Sequence, residues 1–189
     1  MQDIYLLFIL IWAVFWIYWI AAAIRTRSPV KRTQTGLSFR AYIVLIAVLW
    51  VILVRLVAPD IMLETIIPQG TASAAAGLII ALAGLGFAFH ARMHLGKNWS
   101  GNPVIRVDHQ IVRTGPYRYV RHPIYTGMLL MITGTAIGIG FVWVICLIPL
   151  FLAVFAIKIR MEETFLTEEF GEAYLQYRRE VKALIPYVI

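Results

Sequence analysis

The chain of 189 residues is 61% hydrophobic and only 14% charged, and its mean hydropathy is +0.79. Water-soluble domains carry about 45–50% apolar and about 25% charged residues, so this composition excludes a soluble domain. It also excludes a disordered chain, which would be poor in apolar residues. Because Cys146 is the single cysteine, a disulfide-stapled secreted domain is excluded as well. The composition indicates an integral membrane protein of one compact domain.

A membrane-spanning helix needs about 20 apolar residues, and four apolar stretches of the chain are close to this length or longer. They cover residues 4–24, 41–58, 71–91 and 124–159. The last stretch is too long for one span, and Gly134, Gly138 and Gly140 lie where it can bend, so a helical hairpin is predicted there. The small residues of the third stretch predict close helix packing. The predicted fold class is therefore an all-α polytopic membrane protein with about five transmembrane helices, including a C-terminal helical hairpin.

The first stretch is predicted to remain a span rather than to be cleaved as a signal peptide. Ala21, Ala22 and Ala23 resemble a cleavage site, but no basic segment precedes the apolar run. The run is also longer than the about 7–15 residues of a signal peptide's apolar region.

Lysine and arginine concentrate in three segments: residues 25–40, residues 92–121 and the segment after the last span. In contrast, the connection that holds Asp60 and Glu64 contains no lysine or arginine. By the positive-inside rule the basic segments are cytoplasmic, so we expect the N-terminus outside and the C-terminus inside. This topology explains the net charge of +7, with contact to anionic membrane lipids as a second use of the charge, and nucleic acid binding is not expected.

The segment before the hairpin combines residue types that suit ligand binding. Pro123 is compatible with the first turn of a helix, where a missing N–H costs nothing. His122 would then lie at the helix N-terminus, which favours a bound anion such as a carboxylate. Aromatic rings with hydroxyl groups, suited to an aromatic or cationic ligand, come from Tyr117, Tyr119 and Tyr125. The alternative interpretation is an interfacial loop that arginine and tyrosine anchor to the membrane surface.

Glu162 and Glu163 follow directly after the basic end of the last span. A carboxylate near low-dielectric surroundings is costly unless it has a cationic partner. That partner is expected to be Arg118, Arg121, or the ammonium or sulfonium group of a ligand. The alternative is a solvated acidic start of a cytoplasmic helix. That alternative is preferred for three later carboxylates, Glu168, Glu169 and Glu172.

The run GPYRYVRHPIYTG at residues 115–127, followed later by Glu162 and Glu163, resembles the isoprenylcysteine carboxyl methyltransferase family. Further pieces similar to that family are Leu95-Gly96, Trp99-Ser100, Phe170-Gly171, Tyr174, Tyr177 and Leu184-Ile185-Pro186. The resemblance covers residues 90–189, and the first two spans carry none of the family's motifs.

The resemblance implies that S-adenosyl-L-methionine binds in a cytoplasmic cavity formed by the ends of the last helices and the C-terminal segment. It also implies a fold unlike the soluble Rossmann-type methyltransferases, and the chain has no strand–glycine loop–helix signature. The acceptor is expected to be lipophilic, either a small molecule or a prenylated substrate that enters sideways from the bilayer, and no obligatory protein partner is expected. We predict a single membrane domain over residues 1–189, with N-terminal spans in 1–90 and the catalytic half in 91–189.

Carried over motif by motif, the resemblance implies a set of cofactor-binding residues. These are His94, Leu95, Gly96, Tyr117, Arg121, His122, Pro123, Tyr125, Glu162 and Glu163.

Transfer of a methyl group to a carboxylate requires positioning and exclusion of water more than acid–base chemistry. The acceptor carboxylate is already ionised at neutral pH, so neither a metal nor a general base is expected. An arginine would orient it, and the candidate catalytic residues are Arg121 and Arg179. Eukaryotic relatives look to carry Arg followed by Val-Pro in the tail, whereas this chain has Glu180, Val181 and Lys182. A phospholipid amine or another amphiphile therefore stays open as acceptor.

The sequence agrees less well with a metal site, a reductase or a transporter. His90 and His94 lie one helical turn apart but have no third ligand nearby in sequence, so no metal site is expected. An NADPH-dependent reductase of the sterol-reductase type has a similar His-Pro-x-Tyr-x-Gly loop. Those relatives look to place Asn before the Tyr and an acidic residue after the Gly, where this chain has Ile124 and Met128. A transporter would need ionisable residues near the membrane midplane. Four of the five predicted spans have none there, and Arg55 is peripheral, so the non-enzymatic alternative is a small membrane subunit.

Overall fold

The computed structural model describes residues 2–25, 30–33, 44–46, 48–52, 56, 60–61, 64–96, 99, 104–106 and 111–186. The helices with defined bounds are α1 (Gln2–Arg25), α2 (Thr71–Leu95), α3 (Pro123–Ile139), α4 (Val142–Ile145), α5 (Leu147–Phe170) and α6 (Glu172–Glu180). A short 3-10 helix, Gly115–Arg118, precedes α3.

Three of the described helical segments are long and apolar enough to cross a membrane: Asp3–Ile24, Thr71–Leu95 and Val142–Phe170. Helix α3 is apolar but has only 17 residues, which at 1.5 Å per residue gives about 26 Å, slightly less than the about 30 Å of a bilayer core. The prediction of an all-helical polytopic membrane protein is confirmed. For the second predicted span, residues 41–58, the described positions 44–46, 48–52 and 56 are helical, and the others lie outside the described residues.

One short β-ribbon adds to the helical fold and was not predicted from the sequence. Strand β1 (Val30–Thr33) pairs antiparallel with β2 (Val104–Arg106), with an irregular register between Val30 and Arg32. Both strands are rich in β-branched residues, which favour extended backbone. The ribbon therefore links the segment after α1 with the segment after α2.

The C-terminal helical hairpin is confirmed, but only one of the three proposed bending glycines makes the turn. Gly140 ends α3 in the left-handed region with φ of +74°, and its N–H donates to Ala136 O at 2.8 Å. Gly134 and Gly138 instead lie within α3. Their missing side chains serve helix packing, which corrects the prediction that they bend the chain.

Helices α2 and α3 pack backbone against backbone along a seam of small residues, here called the glycine seam (Gly77, Gly84, Gly127 and Gly134). A Cβ atom added at Gly84 would lie 2.6 Å from Gly127 O, and one added at Gly134 would lie 2.5 Å from Ala81 N. Small residues allow such close approach in membranes, as the third span predicted. The seam sets the register between the C-terminal end of α2 and the N-terminal end of α3.

Helix α1 packs against both α2 and α3. Phe8 and Phe15 are fully buried, in a cluster with Ala81, Ala88 and Met131. Many other aliphatic side chains of α1 and α2, such as Ile17 and Ile79, are exposed, as expected for surfaces that face lipid. The packed core thus lies between the helices, and the polar residues gather where α3 begins.

Candidate active site

The start of α3 matches the prediction made from its proline. The helix begins at Pro123, and His122 occupies the position before it. The preceding 3-10 helix turns the chain so that Tyr117, which is buried, donates its backbone N–H to Thr114 O at 3.2 Å. Arg121 and His122 therefore lie directly before α3, whose first backbone N–H groups have no partners within the helix.

The residues that follow α6 pair with the backbone directly before α3. We call residues 181–184 the C-terminal strap. Arg121 N donates to Lys182 O at 2.8 Å, and His122 N donates to Ala183 O at 2.9 Å. Thr126 Oγ1 donates to Leu184 O at 2.7 Å. The strap fastens the end of α6 to the start of α3, and this packing places α6 beside the C-terminal half of α5.

Glu163 is hydrogen-bonded to Arg121 and His122 and forms an ion pair with Arg178. Arg121 contacts Glu163 Oε1 through Nε at 2.7 Å and through Nη2 at 2.6 Å. His122 Nε2 lies 3.2 Å from the same oxygen, and Arg178 Nε lies 3.1 Å from Oε2. The Glu163 and Arg121 side chains are only 8% and 9% exposed. Charge-assisted hydrogen bonds of this kind are the strongest that side chains make, and here they compensate a buried carboxylate.

Glu162 has its own set of partners. Tyr125 OH donates to Glu162 Oε1 at 2.6 Å. Lys158 Nζ lies 3.9 Å from the same oxygen and 5.5 Å from the centre of the Tyr125 ring. His122 Nδ1 lies 3.6 Å from Glu162 Oε2, so the imidazole is placed between the two carboxylates.

Together these side chains form what we call the charged cluster: Arg121, His122, Lys158, Glu162, Glu163 and Arg178. Within this cluster, three permanent cations face two carboxylates. Tyr125 stacks with Phe155 at 4.9 Å between ring centres, which closes the cluster on its apolar side. Such a site can bind a ligand that carries both charges, because it offers carboxylates to a cation and N–H donors to an anion.

The predicted residues at the end of α2 contact the segment before α3. His94 Nε2 is 2.8 Å from Thr114 Oγ1, and the His94 ring stacks 6.4 Å from Tyr117. Leu95 packs against a buried group that contains Tyr117 and against which Tyr125 also packs. Gly96 ends α2 with φ of +53°. These residues connect to the charged cluster through the two tyrosines.

Arg179 and Arg118 are not brought to the charged cluster. The Arg179 side chain is 62% exposed and pairs with Glu172 at 2.5 Å. Arg118 lies over the ring of Tyr119 at 5.1 Å. Successive residues of a helix point in different directions, so Arg178 faces Glu163 while its neighbour faces Glu172. The catalytic role of Arg179 stays a prediction without support from this geometry.

Sequence reasoning missed three contributors to the site. Lys158 lies four residues before Glu162 on one helix face, a spacing that could have indicated the pair. Tyr177 donates its hydroxyl hydrogen to Tyr117 O at 2.6 Å, and burial raises the pKa of this hydroxyl above its usual value despite the nearby Arg121. The neutral hydroxyl therefore ties α6 to the loop before α3. Arg178 had no distinguishing signal beside Arg179.

No group of three or more His, Cys, Asp or Glu side chains that could hold a metal ion occurs among the residues that the structure describes.

Comparison with known proteins identifies similar sequences and a similar fold. A family profile described as phospholipid methyltransferase matches residues 72–173, more than half of the chain. The protein-S-isoprenylcysteine O-methyltransferase of Schizosaccharomyces pombe is 38% identical over 82 residues, which cover 43% of this chain and 35% of that protein. Its counterpart in Saccharomyces cerevisiae is 34% identical over 89 residues, which cover 43% of this chain and 34% of that protein.

A solved structure of the eukaryotic intramembrane Ras methyltransferase ICMT (isoprenylcysteine carboxyl methyltransferase) matches with a TM-score of 0.52 and 24% identity. The match covers 82% of this chain and 54% of the other, and at this identity it shows a shared fold. The matched regions span only about a third of the length of the two yeast relatives.

Proposed function

Because the chain belongs to the phospholipid methyltransferase family, we propose that it is an S-adenosyl-L-methionine-dependent methyltransferase that acts on a lipophilic acceptor in the membrane. The observation that carries this proposal is the charged cluster, where Glu163 is buried among Arg121, His122 and Arg178. A buried group of charges that exceeds what helix packing requires is typical of a ligand site.

The residues of the cluster fit the proposed methyl donor. S-adenosyl-L-methionine carries an ammonium group, a carboxylate and a positive sulfonium. Glu162 and Glu163 would bind its cationic groups, and Arg121 and His122 at the N-terminus of α3 would bind its carboxylate. The ring of Tyr125 offers a further face to a cation. When bound, this cofactor supplies an electrophilic methyl group on its sulfur.

The chain's own residues contribute position and exclusion of water. Tyr125 and Phe155 stack beside the cluster, and Phe151 packs next to Phe155 with 5.7 Å between ring centres. Such an apolar wall keeps water from the reacting groups and strengthens the electrostatic contacts inside. Because a carboxylate acceptor is already ionised, no side chain has to accept a proton from it.

The proposed acceptor is a carboxylate on a prenylated or similarly lipophilic molecule. This part of the proposal is supported by the two yeast relatives, which are protein-S-isoprenylcysteine O-methyltransferases. The excess of cations in the cluster agrees with an anionic acceptor better than with a phospholipid amine. The proposed orientation has the N-terminus outside and the cluster on the cytoplasmic side, as the distribution of basic residues indicates.

The two alternatives, a nicotinamide-dependent reductase and a non-enzymatic subunit, are not favoured, because the family and the similar proteins are methyltransferases.

Calorimetry on the detergent-purified protein tests the proposal. We expect S-adenosyl-L-methionine to bind and S-adenosylhomocysteine to compete with it, whereas NADPH should give no binding heat. A second assay follows transfer of a labelled methyl group to an N-acetyl-S-prenylcysteine in mixed micelles. Binding of NADPH in place of S-adenosyl-L-methionine would contradict the proposal and would favour the reductase.

A further inference from the structure

Two arginines meet the single buried carboxylate of Glu163, but their surroundings differ. The Arg121 side chain is 9% exposed and contacts one carboxylate oxygen through two nitrogens. The Arg178 side chain is 45% exposed and contacts the other oxygen through Nε at 3.1 Å. Arg121 is therefore part of the interior of the site, whereas Arg178 covers it from the solvent side.

Arg121 is held in place by the backbone as well as by Glu163. Its Nη1 donates to the carbonyl oxygens of Arg178 and Val181. These contacts fix its guanidinium between α5, α6 and the C-terminal strap. Arg121 contacts Glu163 through two nitrogens, and Lys158 lies beside Glu162, so each carboxylate has a cationic partner other than Arg178.

We propose that Arg178 binds the carboxylate of the acceptor and selects anionic acceptors over neutral or cationic ones. This inference rests on the proposed methyltransferase function and identifies a specificity-determining residue for it. A guanidinium has five N–H donors in a fork that matches a carboxylate, and the contact with Glu163 engages Nε. The flexible, exposed side chain can turn its remaining donors to an incoming anion while Arg121 keeps Glu163 paired.

The reaction also explains how such a residue would release its product. The acceptor's carboxylate oxygen forms the new bond to the methyl carbon, the bond from that carbon to sulfur breaks, and the sulfur keeps the electron pair. A carboxylate becomes a neutral ester and a sulfonium becomes a neutral thioether, so charge balances and no proton moves. The ester has lost the charge that Arg178 recognised, which favours its departure into the bilayer.

This role departs from the expectation for Arg179, the next residue of the same helix. Arg179 pairs with Glu172 on a different face of α6. The two arginines are chemically identical and adjacent, so a comparison of their variants separates a site residue from a surface residue.

The experiment compares the binding of two probes to the full chain in detergent, with S-adenosylhomocysteine present. One probe is an N-acetyl-S-prenylcysteine with a free carboxylate, and the other is the same molecule as its carboxamide. The wild-type protein should bind the carboxylate about tenfold more tightly, as a charge-assisted hydrogen bond provides. Arg178→Gln should abolish that preference, and Arg178→Lys should keep part of it. Arg160→Gln, which removes an exposed arginine from α5, is the matched control and should keep the full preference.

Each possible result decides the matter. Helical circular dichroism shows whether Arg178→Gln is folded, and the graded response of Arg178→Lys provides a second test. Loss of S-adenosylhomocysteine binding by a folded Arg178→Gln would assign Arg178 to the cofactor site and would overturn the proposal. An unchanged carboxylate preference in Arg178→Gln, or its loss in Arg179→Gln instead, would overturn the proposal. The proposal would also be overturned if the wild-type protein bound S-adenosylhomocysteine but showed equal affinity for the two probes. In that case the proposed methyltransferase function would still stand. If the wild-type protein binds no S-adenosylhomocysteine at all, the proposed function fails and this inference fails with it.

Discussion

The glycine seam and the charged cluster share helix α3, yet different forces hold them together. At the seam, Gly127 and Gly134 bring the backbones of α2 and α3 into contact, and there is no space for another carbon atom. In the cluster, long side chains meet through charges at 2.6–3.9 Å. The seam should therefore be sensitive to added volume, whereas the cluster should be sensitive to lost charge.

The two regions also depend on each other. Gly127 follows Thr126, whose hydroxyl binds the C-terminal strap at Leu184. Close packing at Gly127 thus fixes the first turn of α3, and that turn presents His122 and Tyr125 to the carboxylates of α5. A binding site is more precise when rigid elements hold its side chains, which is the contribution of the seam to the cluster.

The largest expected effect comes from removing the buried negative charge. Glu163→Gln preserves the shape of the side chain but leaves Arg121 buried without its counter-charge. Glu163 is also proposed to bind the ammonium group of the cofactor, and removing one partner of a buried charge pair costs about 2–5 kcal/mol of binding free energy. We therefore expect the affinity for S-adenosylhomocysteine to fall at least about 30-fold. Calorimetry measures this change. The matched control is Glu168→Gln, an exposed carboxylate on the same helix, which should bind as wild type does.

If Glu163→Gln binds S-adenosylhomocysteine normally, the cluster is a structural ion-pair network and the proposed cofactor site is wrong. The fold and the family membership would not be affected by that result.

The second expected effect tests the sensitivity of the seam to volume. In Gly84→Ala the new Cβ would lie 2.6 Å from Gly127 O, so α2 and α3 must separate. Such overpacking costs about 1–3 kcal/mol of unfolding free energy. In Gly86→Ala, two residues along the same helix, the Cβ meets nothing within 4 Å, and we expect a change of about 0.5 kcal/mol or less. Denaturant titration in micelles compares the two variants, and equal stabilities would show that the seam does not depend on close approach.

Sequence patterns were most informative where one residue type has one role. Pro123 predicted the start of α3, because proline fits the first turn of a helix and few other positions in it. The cost of an unpaired carboxylate near the membrane predicted a cationic partner for Glu163, with Arg118, Arg121 and a ligand cation as candidates, and the structure pairs it with Arg121. The apolar stretches predicted about five spanning helices because the bilayer sets the length of a span, and three of the described helical segments have that length and composition.

The patterns were ambiguous where one residue type serves two purposes. Glycine permits both a left-handed turn, as at Gly140, and close helix packing, as at Gly134, and only the neighbouring helix distinguishes them. Likewise, Arg178 and Arg179 have the same chemistry. The choice between them depends on the rotation of a nine-residue helix, which the C-terminal strap and Tyr177 set through contacts distant in sequence.

The smallest expected effect concerns a polar contact within the apolar core. Trp12 Nε1 donates to Thr135 Oγ1 at 3.2 Å, and this hydroxyl also donates to Met131 O at 2.7 Å. Interhelical hydrogen bonds in membranes contribute on average only about 0.6 kcal/mol. A double-mutant cycle of Trp12→Phe and Thr135→Val, followed by denaturant titration, should give a coupling energy of about that size. Thr135→Ser keeps the hydroxyl and should therefore keep the hydrogen bond to Trp12. Trp16→Phe, at an exposed ring of α1, should show no coupling energy with Thr135→Val. A coupling above about 2 kcal/mol would exceed the range known for such bonds and would mean that polar contacts, rather than close packing alone, hold α1 against α3.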